Sequence, residues 1–189
     1  MAAALIAAAA ITGAIPPIVM LNTSYEFSPK IWFFQTVSWI LIVVAFCVLA
    51  GNARSAANNK FVVSSAYLMV PIILLHVIND ILVIGDFPLG EQATAVLDRY
   101  VGPSLLASAA LVALLFGIAV IMTDERAAWA FILMVWGLCG LVEASLTYKA
   151  KMRLIPAEDA DHLLLAQNFI LLAVAVLLMS RAFRPARTT

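Results

Sequence analysis

Six stretches of the chain, 2–21, 31–50, 61–84, 101–122, 128–148 and 162–181, run for about twenty residues with almost no charge. A helix of that length measures roughly 30 Å at 1.5 Å per residue, which matches the hydrocarbon thickness of a bilayer. The joining segments are short, and ones such as GNARSAANNK and MTDER hold most of the charged and Asn residues. In hydrocarbon each segment has to satisfy its own backbone N–H and C=O groups, which a helix does internally. Only 12% of the residues are charged and 65% are hydrophobic, with mean hydropathy +1.05. A soluble domain carries roughly twice that share of charge. The pattern predicts an all-α fold, an integral membrane bundle of six transmembrane helices with short loops, and a single transmembrane domain over 1–189.

The first run, AAALIAAAAITGAIPPIVML, is rich in Ala and interrupted by Pro16 and Pro17. Read as a cleaved signal peptide it would leave five helices. It has no positively charged leading segment, which favours a retained helix. Each proline removes a backbone donor, freeing the carbonyls of Thr12 and Gly13, so a break or bend is expected there, with both residues turned to the bundle interior. Pro71 does the same to Tyr67 in the third run.

Placing the N-terminus inside puts Arg54, Lys60, Arg126, Arg181, Arg184 and Arg187 on the cytoplasmic side. Lys30, Arg99, Lys149, Lys151 and Arg153 fall outside, a margin of six to five. The positive-inside rule therefore points to a multi-pass protein of the cell membrane with both termini cytoplasmic. Small residues at Ala109, Ala113 and Gly117, and at Gly140 and Ala144, offer seams for close helix approach. Trp32 and Tyr148 on the outer side and Trp129 on the inner are placed for aromatic belts. Trp32 and Trp39 share their spacing with Trp129 and Trp136, but nothing else aligns at that offset and no repeat is assigned. Cys47 and Cys139 lie inside apolar runs and read as packing residues.

Against this apolar background the segment LLHVINDILVIGD stands out, with His76 and Asp80 one helical turn apart. Helix rise converts positions to heights. His76 falls roughly 5 Å and Asp80 roughly 11 Å to the outer side of the midplane. Glu143 falls about 7 Å, Asn168 and Gln167 about 5–7 Å, and Gln35 about 8 Å to the same side. Four helices thus place their most polar residues in one layer. A carboxylate near a helix centre costs about 2.5–3.5 kcal/mol on insertion scales, so such groups turn to the bundle interior, pair, or line a cavity. The expected site is one outward-opening polar pocket of Glu143, His76 and Asp80, with Gln35, closed from the side by Asn168. His162, in the acidic loop PAEDADH, reads as a solvated helix start.

Other chemistry is excluded by what the sequence lacks. The 11 basic and 11 acidic residues cancel, leaving no field to recruit nucleic acid. No phosphate loop, HExxH or CxxC motif occurs, and two histidines cannot build multi-haem ligation. His76, Asp80 and Glu143 would be dispersed metal ligands without a signature, so no metal is assigned, and no cofactor is named. Three function classes remain. The first is a carrier or channel for protons or a small polar solute. The second is an embedded enzyme acting on a lipid or isoprenoid by carboxylate acid/base catalysis. The third is an accessory subunit. The partners implied are the lipid bilayer, a small-molecule or lipid-like ligand, and further protein, either a second copy or a membrane complex.

Overall fold

The computed structural model describes residues 1–22, 29–56, 60–84, 90–123, 128–156 and 158–182. These form helices, without a strand among them: α1 (Ala2–Asn22), α2 (Pro29–Ala56), α3 (Lys60–Ile84), a short α4 (Glu91–Val96), α5 (Gly102–Thr123), α6 (Ala128–Lys151) and α7 (Glu158–Ala182). A π-helical turn, Leu97–Val101, joins α4 to α5. Among the described residues five segments are long and apolar enough to cross a membrane: Ala2–Asn22, Lys60–Val83, Glu91–Met122, Ala128–Lys151 and Glu158–Ser180. α2 adds a shorter apolar stretch, Phe33–Leu49, whose length lies at the lower limit for a spanning helix. The protein is a helical membrane bundle.

The long helices close a ring. α1 packs on α2 and α7, α2 on α3, α3 on α5, α5 on α6, and α6 on α7. Its outer face is apolar: Phe61, Leu74, Leu75, Phe131, Leu138, Val142 and Phe169 are all exposed. That inverts the polar surface of a soluble bundle and suits a hydrocarbon solvent. The inner face is filled over one half of the ring by Phe46, Met69, Ile73, Phe116, Leu133, Leu171 and Val174. Phe46 meets Phe116 edge-on at 5.2 Å, and Trp39 meets Trp136 at 6.5 Å across the interior.

Small residues set the closest approaches. A Cβ on Gly137 would lie 2.8 Å from the Ala110 carbonyl oxygen, and one on Gly117 would lie 3.0 Å from that of Ala130. A Cβ on Gly140 would come within 2.8 Å of the Ala110 Cβ. The α5–α6 seam thus runs along glycines, with Ala109 and Ala113 also buried. Gly13 does the same for α1, where a Cβ would overlap Asn168 and lie 2.8 Å from Ser38 Oγ. Ser38 Oγ also donates to the Ala9 carbonyl at 2.8 Å, tying α2 to α1.

Two expectations change. Of the break or bend expected at Pro16 and Pro17, the break is not found: α1 runs through both to Asn22, and both prolines are fully buried. Packing by neighbours on either flank supports the helix where the proline donors are missing. Gly13 is buried as expected, and half-buried Thr12 bonds back to Ala8 O at 2.9 Å. Trp129 does not sit in an interfacial belt. It is buried against Phe116, with ring centroids 6.2 Å apart, because the start of α6 turns that face into the ring. The Trp32 side chain and the tail beyond residue 182 lie outside the described residues.

Candidate functional site

His76, Asn79 and Asp80 share one face of α3, as positions three and four apart do. His76 Nε2 stands 3.7 Å from Asp80 Oδ2, and the two side chains are 12% and 20% exposed. The imidazole packs edge-on against Trp39, with ring centroids 5.1 Å apart and planes at 89°. One turn before Trp39, Gln35 is buried on the same side of α2. From α6 comes Glu143, also buried, which accepts a hydrogen bond from Gln167 Nε2 of α7.

These elements surround a cavity of about 330 Å³ to which every long helix contributes. Met20 ends the α1 contribution, Pro103 and Leu106 come from α5, Thr147 from α6 and Leu164 from α7. All of them lie toward one end of the bundle, the end that bears α4. Their common depth follows from the alternation of helix direction. At the rim, Lys151 Nζ meets Asp98 Oδ1 at 2.6 Å, with side chains 41% and 32% exposed. The π-helical turn supplies Asp98. A Schellman closure after α6 (Leu154 N to Lys149 O and Arg153 N to Ala150 O, both 2.9 Å) ends that helix just past Lys151. Arg153 takes the left-handed conformation there, at φ 57.

Gln35, His76, Asp80 and Glu143 line this cavity. Asn168 does not. It borders a separate void of about 10 Å³ with Ser38, Trp136 and Leu171, and its Nδ2 donates to Leu164 O of its own helix at 2.8 Å. Gln167, its neighbour, borders the same small void and is the residue of α7 that bonds Glu143, so the lateral closure expected of Asn168 is not found. One residue turns a helix by roughly 100°, so depth alone could not decide between them. Asn79, Thr147, Asp98, Lys151 and Asp161 also line the cavity. The spacing of Asn79 from His76 would have found it. Asp98 and Lys151 lie at helix ends, where a height calculation carries no facing information. His162 is exposed, with Nδ1 2.7 Å from Glu158 O, as befits a helix start. Among the described residues no three His, Cys, Asp or Glu side chains gather as a metal-binding group.

The polar wall is incompletely paired. Gln35 Oε1, His76 Nδ1 and Asn79 Oδ1 are buried and find no partner in the protein. Each such group costs about 1–3 kcal/mol relative to a satisfied one. Buried polar atoms are nearly always hydrogen-bonded, and these three orphans belong to residues that line one cavity. The volume is at the lower end of small-molecule pockets, which run about 300–1,000 Å³. Trp39 forms part of the cavity wall, and Trp136 and Phe46 pack deeper in the ring interior. The arrangement can take a small ligand from one end of the bundle and present it to two carboxyl groups and an imidazole. Comparison of the chain with protein-family profiles, curated proteins and solved structures finds no match, so the reading of this cavity rests on its own geometry.

Proposed function

We propose that the protein is a multi-pass carrier of the cell membrane that couples movement of a small polar solute to protons. Both termini lie on the cytoplasmic face and the cavity opens outward. The observation that carries this reading is a cavity of about 330 Å³ at one end of the ring, lined by Glu143, His76 and Asp80, over a packed aromatic interior. A carboxyl placed at that depth has a use when it takes up and releases a proton or holds a solute. Gln167 holds the Glu143 carboxyl in place. His76 and Asp80, one turn apart, offer a second exchange point nearer the rim.

In a carrier the solute enters from the α4 end and settles against the polar wall. Release to the other side requires the contacts of Trp39 with Trp136 and of Phe46 with Phe116 to part, so the helices carrying them move relative to one another. That packed interior favours a carrier over an open channel. The orientation is supported by the six-to-five excess of Lys and Arg in the loops assigned to the inside.

The test is reconstitution into liposomes holding a pH-sensitive dye, with amines, amino acids, sugars and carboxylates added outside. The expected result is proton flux driven by one solute class and abolished in Glu143→Gln, with the variant still monodisperse. Absence of flux, together with turnover of a co-purifying lipid, would replace the carrier by an embedded enzyme. A stoichiometric protein partner without flux would make it a subunit.

A further inference from the structure

The charges facing the cavity are unequal. Asp80 comes from α3, Asp98 from the π-helical turn, Glu143 from α6 and Asp161 from α7. Against these stand Lys151, already paired with Asp98 at 2.6 Å, and His76, 3.7 Å from Asp80. Among the described residues α1, α2 and α5 add no charge to the wall. Once the rim pair is set aside, three carboxyl groups face one imidazole among the described residues.

A second observation is independent of charge. Gln35 and Asn79, 7% and 6% exposed, each line the cavity and hold an amide oxygen that accepts from nothing in the protein. The two ends of an amide exchange by a half-turn of its last bond, so either can present its oxygen to the cavity. Two spare acceptors and surplus carboxyls call for a ligand with a positive charge and several N–H donors. Met20, Trp39 and Leu106 supply apolar wall for a hydrocarbon portion.

We propose that the cavity binds a small organic cation of the primary or secondary ammonium class, its N–H groups donating to Gln35 and Asn79 and its charge facing Asp80 and Glu143. This deepens the carrier reading and rests on it for the direction of movement, whereas binding is measured apart from transport. Four probes that share a phenyl-and-two-carbon frame separate the possibilities: phenethylamine, its N-trimethyl analogue, 2-phenylethanol and phenylacetate. Titration calorimetry on the full-length protein in mild detergent should show the amine binding, the alcohol and the anion not, and the trimethyl analogue weaker by about tenfold or more, since it has no N–H to donate. Asn79→Leu and Gln35→Leu should each weaken the amine by about tenfold and leave the trimethyl analogue unchanged. Equal binding of amine and trimethyl analogue, binding of phenylacetate, or no binding of the amine overturns the inference, and the unmodified protein alone decides these. Amine binding without proton flux would end the carrier reading and keep the site. Flux driven by a non-amine solute, with no amine bound, would do the reverse.

Discussion

At the residue scale, the Glu143–Gln167 contact shows how a buried charge-bearing group is accommodated. Glu143 is 6% exposed and Gln167 is 4% exposed, so each relies mainly on the other for its pairing. Glu143→Gln keeps an amide oxygen that can accept from Gln167, and folded yield should match the parent. Glu143→Leu leaves the Gln167 amide unpaired and should cost about 1–3 kcal/mol, read as a lower midpoint of thermal unfolding in detergent. Equal midpoints for the two variants would show that the contact contributes nothing. Gly13 offers a second measurement. A side chain there overlaps Asn168 and crowds Ser38, whereas Gly51 has nothing within 4 Å. Gly13→Val should therefore destabilise by about 1–3 kcal/mol, the usual cost of overpacking. Gly51→Val should leave the unfolding midpoint nearly unchanged.

At the element scale, the α5–α6 seam is set by backbone meeting backbone. A Cβ on Gly137 would lie 2.8 Å from both the Leu114 Cγ and the Ala110 carbonyl oxygen, and the carbonyl cannot rotate away as a side chain would. Gly137→Leu should force the helices apart and reduce the monodisperse fraction on size-exclusion chromatography. Gly90→Ala provides a contrast of another kind: nothing crowds it, but its φ of 77 strains any side chain. The cost there should stay confined to the start of α4. α1 is equally part of the ring, since α7 and α2 both lean on it and the Ala9 carbonyl accepts from Ser38. Deleting residues 1–22 should expose that side of the bundle and lose folded protein. Recovery of a stable, monodisperse truncated protein would show that the ring closes without α1.

At the scale of the whole molecule, the ring makes topology testable in one set of fusions. Reporters after Ala57 and Thr189 should read cytoplasmic and one after Gly90 external; an external signal from the C-terminal fusion reverses the orientation. The cavity supplies its own probe. In a background with Cys47 and Cys139 replaced by Ala, Thr147→Cys should react with a membrane-impermeant maleimide added outside intact cells. Phe116→Cys, buried at 1% exposure among the aromatic contacts, should not. Labelling of both, or of Phe116→Cys alone, contradicts a cavity closed beneath Trp39.

The sequence by itself determined that the chain forms apolar helices and at which height each polar residue lies. Both follow from local quantities, the run length of apolar residues and the fixed rise per residue. It therefore brought Gln35, His76, Asp80 and Glu143 to one depth. Facing was decided only by tertiary structure, because lipid and protein interior are both apolar and leave no hydrophobic stripe to orient a helix. That is why Gln167 and not Asn168 meets Glu143, why Trp129 is buried, and why α1 continues through its prolines between two packed neighbours. The ring order of the helices, the volume it encloses and the partners withheld from Gln35 and Asn79 arise from the same packing, where contacts between distant segments decide what adjacent residues cannot.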